Sequence, residues 1–362
     1  MAADARAGRE PQPLDEQKVR AFAGKLFGFY NGAMLTFMVD IGRRTGLFEA
    51  AARGPATSAE LATRAGLHER YVREWLAALT AGGVFVHEPV AGVFTLPPEH
   101  AASLTGDGGA NLSRLSLSAT LLAKHVPAVA AAFASGGGVP YAAYRPEFTV
   151  EQDIVARGRH DAFLLSGYLA VGDLRERLAA GGRVADVGCG TGHAVNLMGR
   201  AFPDSTFIGF DIAEDALALG AEEARAFGLS NVRFERHDAA ELPVEPPFDL
   251  ITSFDAIHDQ ARPAAALRRV RQALASGGVY LMVEPRAGSR LEDNLKNPGA
   301  PFAYAVSVLH CLTVSLAEGG TGLGTLWGEE LARQMLAEAG FTAIDVTPAP
   351  DRLNNLFVCR AG

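Results

Sequence analysis

The residues best suited to chemistry lie between Val184 and Gly192, which read Val-Ala-Asp-Val-Gly-Cys-Gly-Thr-Gly. Val184, Ala185 and Val187 suit a short strand buried on both faces. Gly188, Gly190 and Gly192 suit a turn in which the backbone bends sharply and a ligand comes close. The stretch from His193 to Phe202 then reads as a helix, whose start offers unpaired N–H groups and a partial positive charge. A carboxylate or a phosphate suits that end. Thr206 to Phe210 form a second apolar run, closed by Asp211. An acid about 20 positions after the glycines, at the tip of a parallel strand, accepts hydrogen bonds from both hydroxyls of a ribose.

To this point a dinucleotide and S-adenosylmethionine fit equally well. The glycine spacing separates them: a dinucleotide fingerprint is Gly-x-Gly-x-x-Gly, whereas these glycines fall at every second position with Asp186 on the strand before them. Asp-Val-Gly-Cys-Gly-Thr-Gly followed by Gly-Phe-Asp-Ile resembles the first two motifs of the class I S-adenosylmethionine-dependent methyltransferases. The likeness continues through Val232–Phe234 into His237, Asp238 and Ala239, through Phe248-Asp249-Leu250-Ile251-Thr252-Ser253, and through Leu267–Leu274 into Ser276–Glu284. It implies an α/β, Rossmann-like, mostly parallel seven-stranded sheet closed by an antiparallel hairpin at Phe341–Thr347 and Asn355–Cys359. It also implies a cofactor shell of Asp186, Gly188, Cys189, Gly190, Gly192, Asp211, Ile212, Asp238, Ala239, Ser253 and Phe254, with Asp238 at the adenine amino group. Cys189 sits between glycines whose role is backbone approach, so a reactive thiol is not expected there.

The elements that must position these residues occupy 362 residues, long enough to divide into domains. A formal net charge of −8 argues against broad nucleic-acid affinity. No run of about 18 or more apolar residues is evident, so no membrane span is expected, and the polar N-terminus looks like neither a secretory signal nor an anchor. The three cysteines are far apart, which argues against a disulfide framework and a cysteine-rich metal site; a reducing cytoplasm is the default compartment.

Residues 1–15 read as a disordered tail and 16–100 as a first domain. Within it, Glu16 to about Gly46 reads as two helices, with Val19, Phe22, Leu26, Phe29 and Tyr30 on one and Met34, Leu35, Phe37, Met38 and Ile41 on the other. A helix begun by Thr57 or Ser58 ends at Gly66, a second runs from His68 to Ala81, and strands at Val84–Val86 and Val93–Thr95 flank a turn. The outline is a winged helix. It resembles the N-terminal dimerisation domain of small-molecule O-methyltransferases, including the Gly46-Leu47-Phe48-Glu49 turn, and implies a homodimer. Residues 101–178 read as a helical connector, with an aromatic loop from Pro140 to Phe148 as a wall over a methyl-transfer chamber. Residues 179–362 form the cofactor domain, with a glycine-rich, mobile lid insertion near 285–328.

The expected reaction is methyl transfer to an oxygen, nitrogen, sulfur or carbon atom of a small molecule, leaving S-adenosylhomocysteine. His258 is the candidate base, and an imidazole near its ordinary pKa suits that task. It lies just past the fourth strand, and its position resembles the His-Asp pair of plant and bacterial small-molecule O-methyltransferases, although Gln260 stands where a tryptophan usually follows. His310 and Cys311 are secondary candidates. Glu284 either faces the chamber or caps a loop, and Trp327 either caps the lid or joins the core. No metal site is expected. Two rivals remain: a winged-helix regulator that senses S-adenosylmethionine, and an enzyme that uses the bound sulfonium without transferring its methyl group.

Overall fold

The computed structural model describes residues 14–106 and 111–360, which fall into two compact units dividing after Gly106. The expected tail lies outside the described residues up to residue 13; Asp15 caps the first helix, accepting from Gln17 N at 3.0 Å and Lys18 N at 3.2 Å.

In the first unit, Glu16–Arg44 is one unbroken helix rather than two. A lone glycine such as Gly32 costs a helix only about 1 kcal/mol, too little to end it. Gly42 is required by packing: a Cβ there would come within 2.5 Å of the Phe48 ring and 2.6 Å of Trp75. Trp75 Nε1 donates to the Met38 carbonyl at 2.8 Å, which ties this helix to Glu69–Ala81. Thr57 and Glu60 form a reciprocal cap that starts the helix Ser58–Ala65. Leu61, Val72, Leu76, Leu79 and Phe85 close the core. The wing strands are β1 (Val86–Glu88) and β2 (Val93–Thr95), paired antiparallel. Strand β1 begins two residues later than the sequence suggests, because Val84 N closes the preceding helix on Leu79 O and Phe85 turns into the core.

The second unit is built on a seven-stranded sheet: β3 (Arg183–Val187), β4 (Thr206–Asp211), β5 (Val232–Arg236), β6 (Phe248–Phe254), β7 (Leu274–Pro285), β8 (Ala343–Pro348) and β9 (Asn354–Arg360). Their order is β5-β4-β3-β6-β7-β9-β8, with β9 antiparallel to both neighbours and the rest parallel. Alternate residues supply two cores. Val184, Phe207, Leu250 and Leu281 pack with Leu178, Val195 and Met198 on one face. Ala185, Ile208, Ile251 and Tyr280 pack with Leu267, Val270 and Leu336 on the other. Chain progression reverses direction between β3 and β6, which opens a crevice at the carboxyl ends of the strands.

Between the wing and β3, the connector's helices Leu115–Ala123 and Val126–Ser135 are divided at Lys124–His125. Leu117, Leu121 and Leu122 are buried, whereas Leu112, Leu115 and Val126 face solvent. The insertion after β7 forms the helices Leu291–Asn294, Ala300–Leu309 and Cys311–Ala317. Gly320 and Gly328 serve close packing rather than the looseness expected of the insertion's glycines. A Cβ on Gly320 would meet Ala261 Cα at 2.5 Å, and one on Gly328 would meet Ser289 N at 2.3 Å. By length and composition alone, Ala300–Ala317 is apolar enough to cross a membrane, against the expectation of no such run. It breaks at His310 and packs through its first half on the helices Leu115–Ala123 and Val126–Ser135.

Candidate active site

The glycine turn joins β3 to the helix His193–Ala201, and Gly188, Gly190 and Gly192 all have positive φ (71°, 54° and 70°). Two of the three are also crowded. A Cβ on Gly188 would lie 2.6 Å from Ala256 Cβ, and one on Gly192 2.1 Å from the Phe234 ring. The same ring lies 2.6 Å from a Cβ on Gly209 and 2.8 Å from one on Gly220. Phe234 of β5 is thus a wedge around which turn, strand and helix close, and three glycines exist to make room for it. Gly190 differs, with open space where its Cβ would be. That opening is a cradle a ligand can enter.

Asp211 lines the turn from the tip of β4. Its Oδ2 accepts from Gly190 N at 2.9 Å and its Oδ1 from Ala213 N at 2.8 Å. Each oxygen keeps a lone pair for a further donor. Burial raises its pKa, against three backbone hydrogen bonds and Arg145. Asp186 is buried beneath the turn, accepts from Thr252 Oγ1 at 2.7 Å, and is pushed up to about 7 by burial. The Cys189 thiol faces Gly209, and burial raises its pKa. Ser253 is fully buried, with its hydroxyl on Tyr280 at 2.7 Å, and has no free side-chain group for a ligand. Asp238 is committed on one oxygen to Ala240 N and on the other to Arg262, at 2.8 and 2.7 Å. Ala239 is buried, Ile212 is half exposed, and Phe254 packs on Tyr168 and His160.

A set of residues that spacing did not single out braces the helix start. Thr191 Oγ1 donates to Asp153 at 2.6 Å, and Arg157 pairs with Asp153 and Glu223. His193 bridges Glu223 at 3.0 Å and Asp161 at 2.9 Å. Burial opposes ionisation of Glu223, but hydrogen bonds from His193, Arg157 and Asn196 hold it down to about 2. A cleft of about 410 Å³ opens beside this network. Its members are scattered over some 70 positions, so no local pattern announced them.

His258 lies past the end of β6, 2% exposed. Its Nδ1 is 2.6 Å from Glu284 Oε2. Glu284, 1% exposed, also accepts from Trp327 Nε1 at 3.1 Å and Ile257 N at 2.9 Å. Glu284 is therefore neither a free chamber acid nor a plain cap, and Trp327 is core and clamp together. Asp259 Oδ1 is 3.3 Å from His258 Nε2 but outside hydrogen-bond geometry. Burial alone would lower the His258 pKa. Asp259 and Glu284 outweigh it, and the imidazole stands well above its ordinary value. The sequence expectation of an unshifted histidine is corrected accordingly. Cys311, raised to about 12 chiefly by burial, brings its sulfur within 4.8 Å of ligand atoms on His258 and Asp259. A divalent ion bridging these three would have to displace the protons of the imidazolium and the thiol.

The aromatic loop approaches both halves of the site. Tyr141 is raised to about 12 by burial and then by the charges of Asp211 and Asp259. Arg145 lies over the Tyr141 ring at 5.6 Å and pairs with Asp215.

This sheet order, with a glycine turn and a strand-tip acid at its reversal point, defines a nucleoside-binding α/β transferase of the methyltransferase class. Residues 178–340 match a methyltransferase domain family and residues 33–106 an Rv2258c-like winged HTH domain. The acetylserotonin O-methyltransferase of Mus musculus molossinus is 31% identical over 304 residues, covering 76% of this chain and 75% of that protein. The trans-aconitate 2-methyltransferase of Methylobacterium nodulans is 36% identical over 124 residues, and this chain spans only 43% of it. The human N-acetylserotonin methyltransferase, solved in complex with SAM, superposes with a TM-score of 0.66 at 17% identity, over 98% of this chain and all of that one. The chain belongs to the S-adenosylmethionine-dependent methyltransferases that carry an N-terminal winged-helix domain, and it is an enzyme acting on a small molecule.

Proposed function

We propose that the enzyme methylates a hydroxyl group of a small molecule and releases S-adenosylhomocysteine. The observation that carries this reading is His258, held at Nδ1 by Glu284 with Asp259 Oδ1 3.3 Å from its Nε2. Methyl transfer to a hydroxyl requires that its proton be accepted, and a histidine flanked by two carboxylates is a strong proton acceptor. Those carboxylates hold the His258 pKa above the ordinary histidine value, against the effect of burial. Turnover therefore begins either with His258 deprotonated or with the methyl acceptor bound as its oxyanion against the imidazolium.

The residues fit the methyl donor. Gly188, Gly190 and Gly192 would take its amino-acid end, Asp211 and Ile212 its ribose, and Asp238 and Ala239 its adenine. Asp186 and Cys189 would support the turn, and the backbone of Ser253 and Phe254 would close the far side. Bound there, the donor supplies an electrophilic methyl group. Tyr141, close to both Asp211 and Asp259, would align the two reactants and exclude water. Residues 111–178 and 285–328 would supply the acceptor pocket around this point.

The enzyme acts in this reading as a cytoplasmic homodimer without nucleic acid. The first helix leaves Phe22, Phe27, Phe29, Tyr30 and Met34 exposed on one chain, the kind of surface a second copy covers. The arginines of the helix Glu69–Ala81 are already paired, Arg70 with Glu74 and Arg73 with Glu69, which leaves little charge for DNA. The test is a panel of hydroxylated metabolites with labelled methyl donor, scored for label transfer and S-adenosylhomocysteine. Label transfer only to thiols or amines would overturn the hydroxyl assignment.

A further inference from the structure

We infer that His310 selects the methyl acceptor, by receiving a hydrogen bond from an O–H or N–H of an aromatic acceptor other than the atom that is methylated. The inference rests on the methyl-transfer reading above. His310 links the helices Ala300–Leu309 and Cys311–Ala317 at a break in the backbone (φ −140°, ψ −80°). It is 2% exposed, and its Nε2 has no hydrogen-bond partner among the described residues. An ordinary core histidine completes its hydrogen bonds, because an unpaired buried polar atom is costly. This ring has no room to turn elsewhere. It stacks on Phe148 at 3.8 Å and 20°, with Tyr144 at 5.0 Å and Tyr141 at 6.0 Å packed against it edge-on.

His310 borders the groups around His258. His310 Nδ1 lies 4.0 Å from Asp259 Oδ2, and Asp259 Oδ1, also without a hydrogen bond, lies 3.3 Å from His258 Nε2. The next residue, Cys311, adjoins His258. Burial holds His310 neutral, with its pKa lowered to about 4. The Asp259 carboxylate favours the single ring proton on Nδ1, which leaves Nε2 a bare lone pair. Both unpaired atoms therefore want donors, and Phe148, Tyr144 and Tyr141 supply aromatic faces around them. A flat acceptor carrying a second hydroxyl or ring N–H meets both demands.

The test compares dihydroxynaphthalenes with naphthols on wild type, His310→Phe and His310→Gln. Binding is read calorimetrically in the presence of S-adenosylhomocysteine, and kcat/KM by methyl transfer. Phenylalanine keeps the stacking and removes the lone pair, so its melting temperature should equal or exceed that of wild type. The expected result is a wild-type preference for the diols of about 10²-fold, abolished in His310→Phe and partly kept in His310→Gln, whose amide oxygen can accept. A ratio of diol to naphthol unaltered by His310→Phe, or a fall in melting temperature with equal losses on both classes, overturns the inference. Absence of S-adenosylhomocysteine from every turnover mixture overturns the transferase reading instead, and the binding ratio is read independently of it.

Discussion

Replacing Glu284 by glutamine removes one charge from the most enclosed ion pair in the site. In the native chain its two oxygens receive three donors: Ile257 N on Oε1, and His258 Nδ1 and Trp327 Nε1 on Oε2. Glutamine offers one carbonyl oxygen, so at least one of these donors loses its partner in a buried place, at about 1–3 kcal/mol. The imidazolium meanwhile loses a carboxylate at contact distance, an effect of about 1–3 pKa units. Asp259 remains at 3.3 Å from Nε2 and retains part of the upward shift. The acidic limb of kcat/KM against pH should therefore lie above the usual histidine value in wild type and move down by about one to two units in Glu284→Gln. Histidine proton resonances followed over the same range give the His258 titration without turnover. His258→Ala should lose the limb altogether and lower turnover by about 10²-fold or more. The stability linkage has a definite sign. A folded-state pKa raised above the unfolded one stabilises fully below the unfolded value, and that contribution disappears as pH rises through the folded value. The difference in unfolding free energy between wild type and Glu284→Gln should accordingly be largest just below the ordinary histidine pKa, where Glu284 is still ionised, and shrink as pH rises through the folded-state value. A limb at the same pH in both proteins, with the His258 resonance unmoved, would refute the reasoning.

Three further outcomes follow from the geometry. Gly190→Ala should fold with a loss of only about 1–2 kcal/mol from its left-handed backbone yet lose most affinity for the methyl donor. Gly192→Ala, driven into Phe234, should lose several kcal/mol; urea unfolding beside donor titration separates the two, and equal stability losses would count against the wedge. Asp211→Ala should weaken donor binding by about tenfold or more, read by calorimetry, and unchanged affinity would remove Asp211 from the ribose. Replacing Phe22 and Phe29 by aspartate should convert a dimer into a monomer in light scattering coupled to size exclusion, with the fold of each chain kept; a native chain already monomeric at micromolar concentration would dismiss the seam.

The glycine turn and the strand-tip acid proposed to hold the cofactor were legible in one dimension because their determinants are local. A turn with positive φ needs glycine, the next parallel strand must end on its acid, and both lie within a few dozen positions. The same locality gave the positions of the parallel strands, the caps at Thr57 and Gly66 and the winged outline. Locality also misled. Glu16 to Gly46 read as two helices but holds one long helix in which Gly32 is tolerated, and Gly320 and Gly328 looked loose because spacing does not record which neighbours press on them. Only the fold joined Glu284, Trp327 and Ile257 around His258, set Phe234 against Gly192, Gly209 and Gly220, and left His310 Nε2 without a hydrogen-bond partner among the described residues. Those facts depend on distance through space and on dielectric surroundings. A pKa or an unmade hydrogen bond is a property of everything packed around a group, and sequence neighbours are a small part of that.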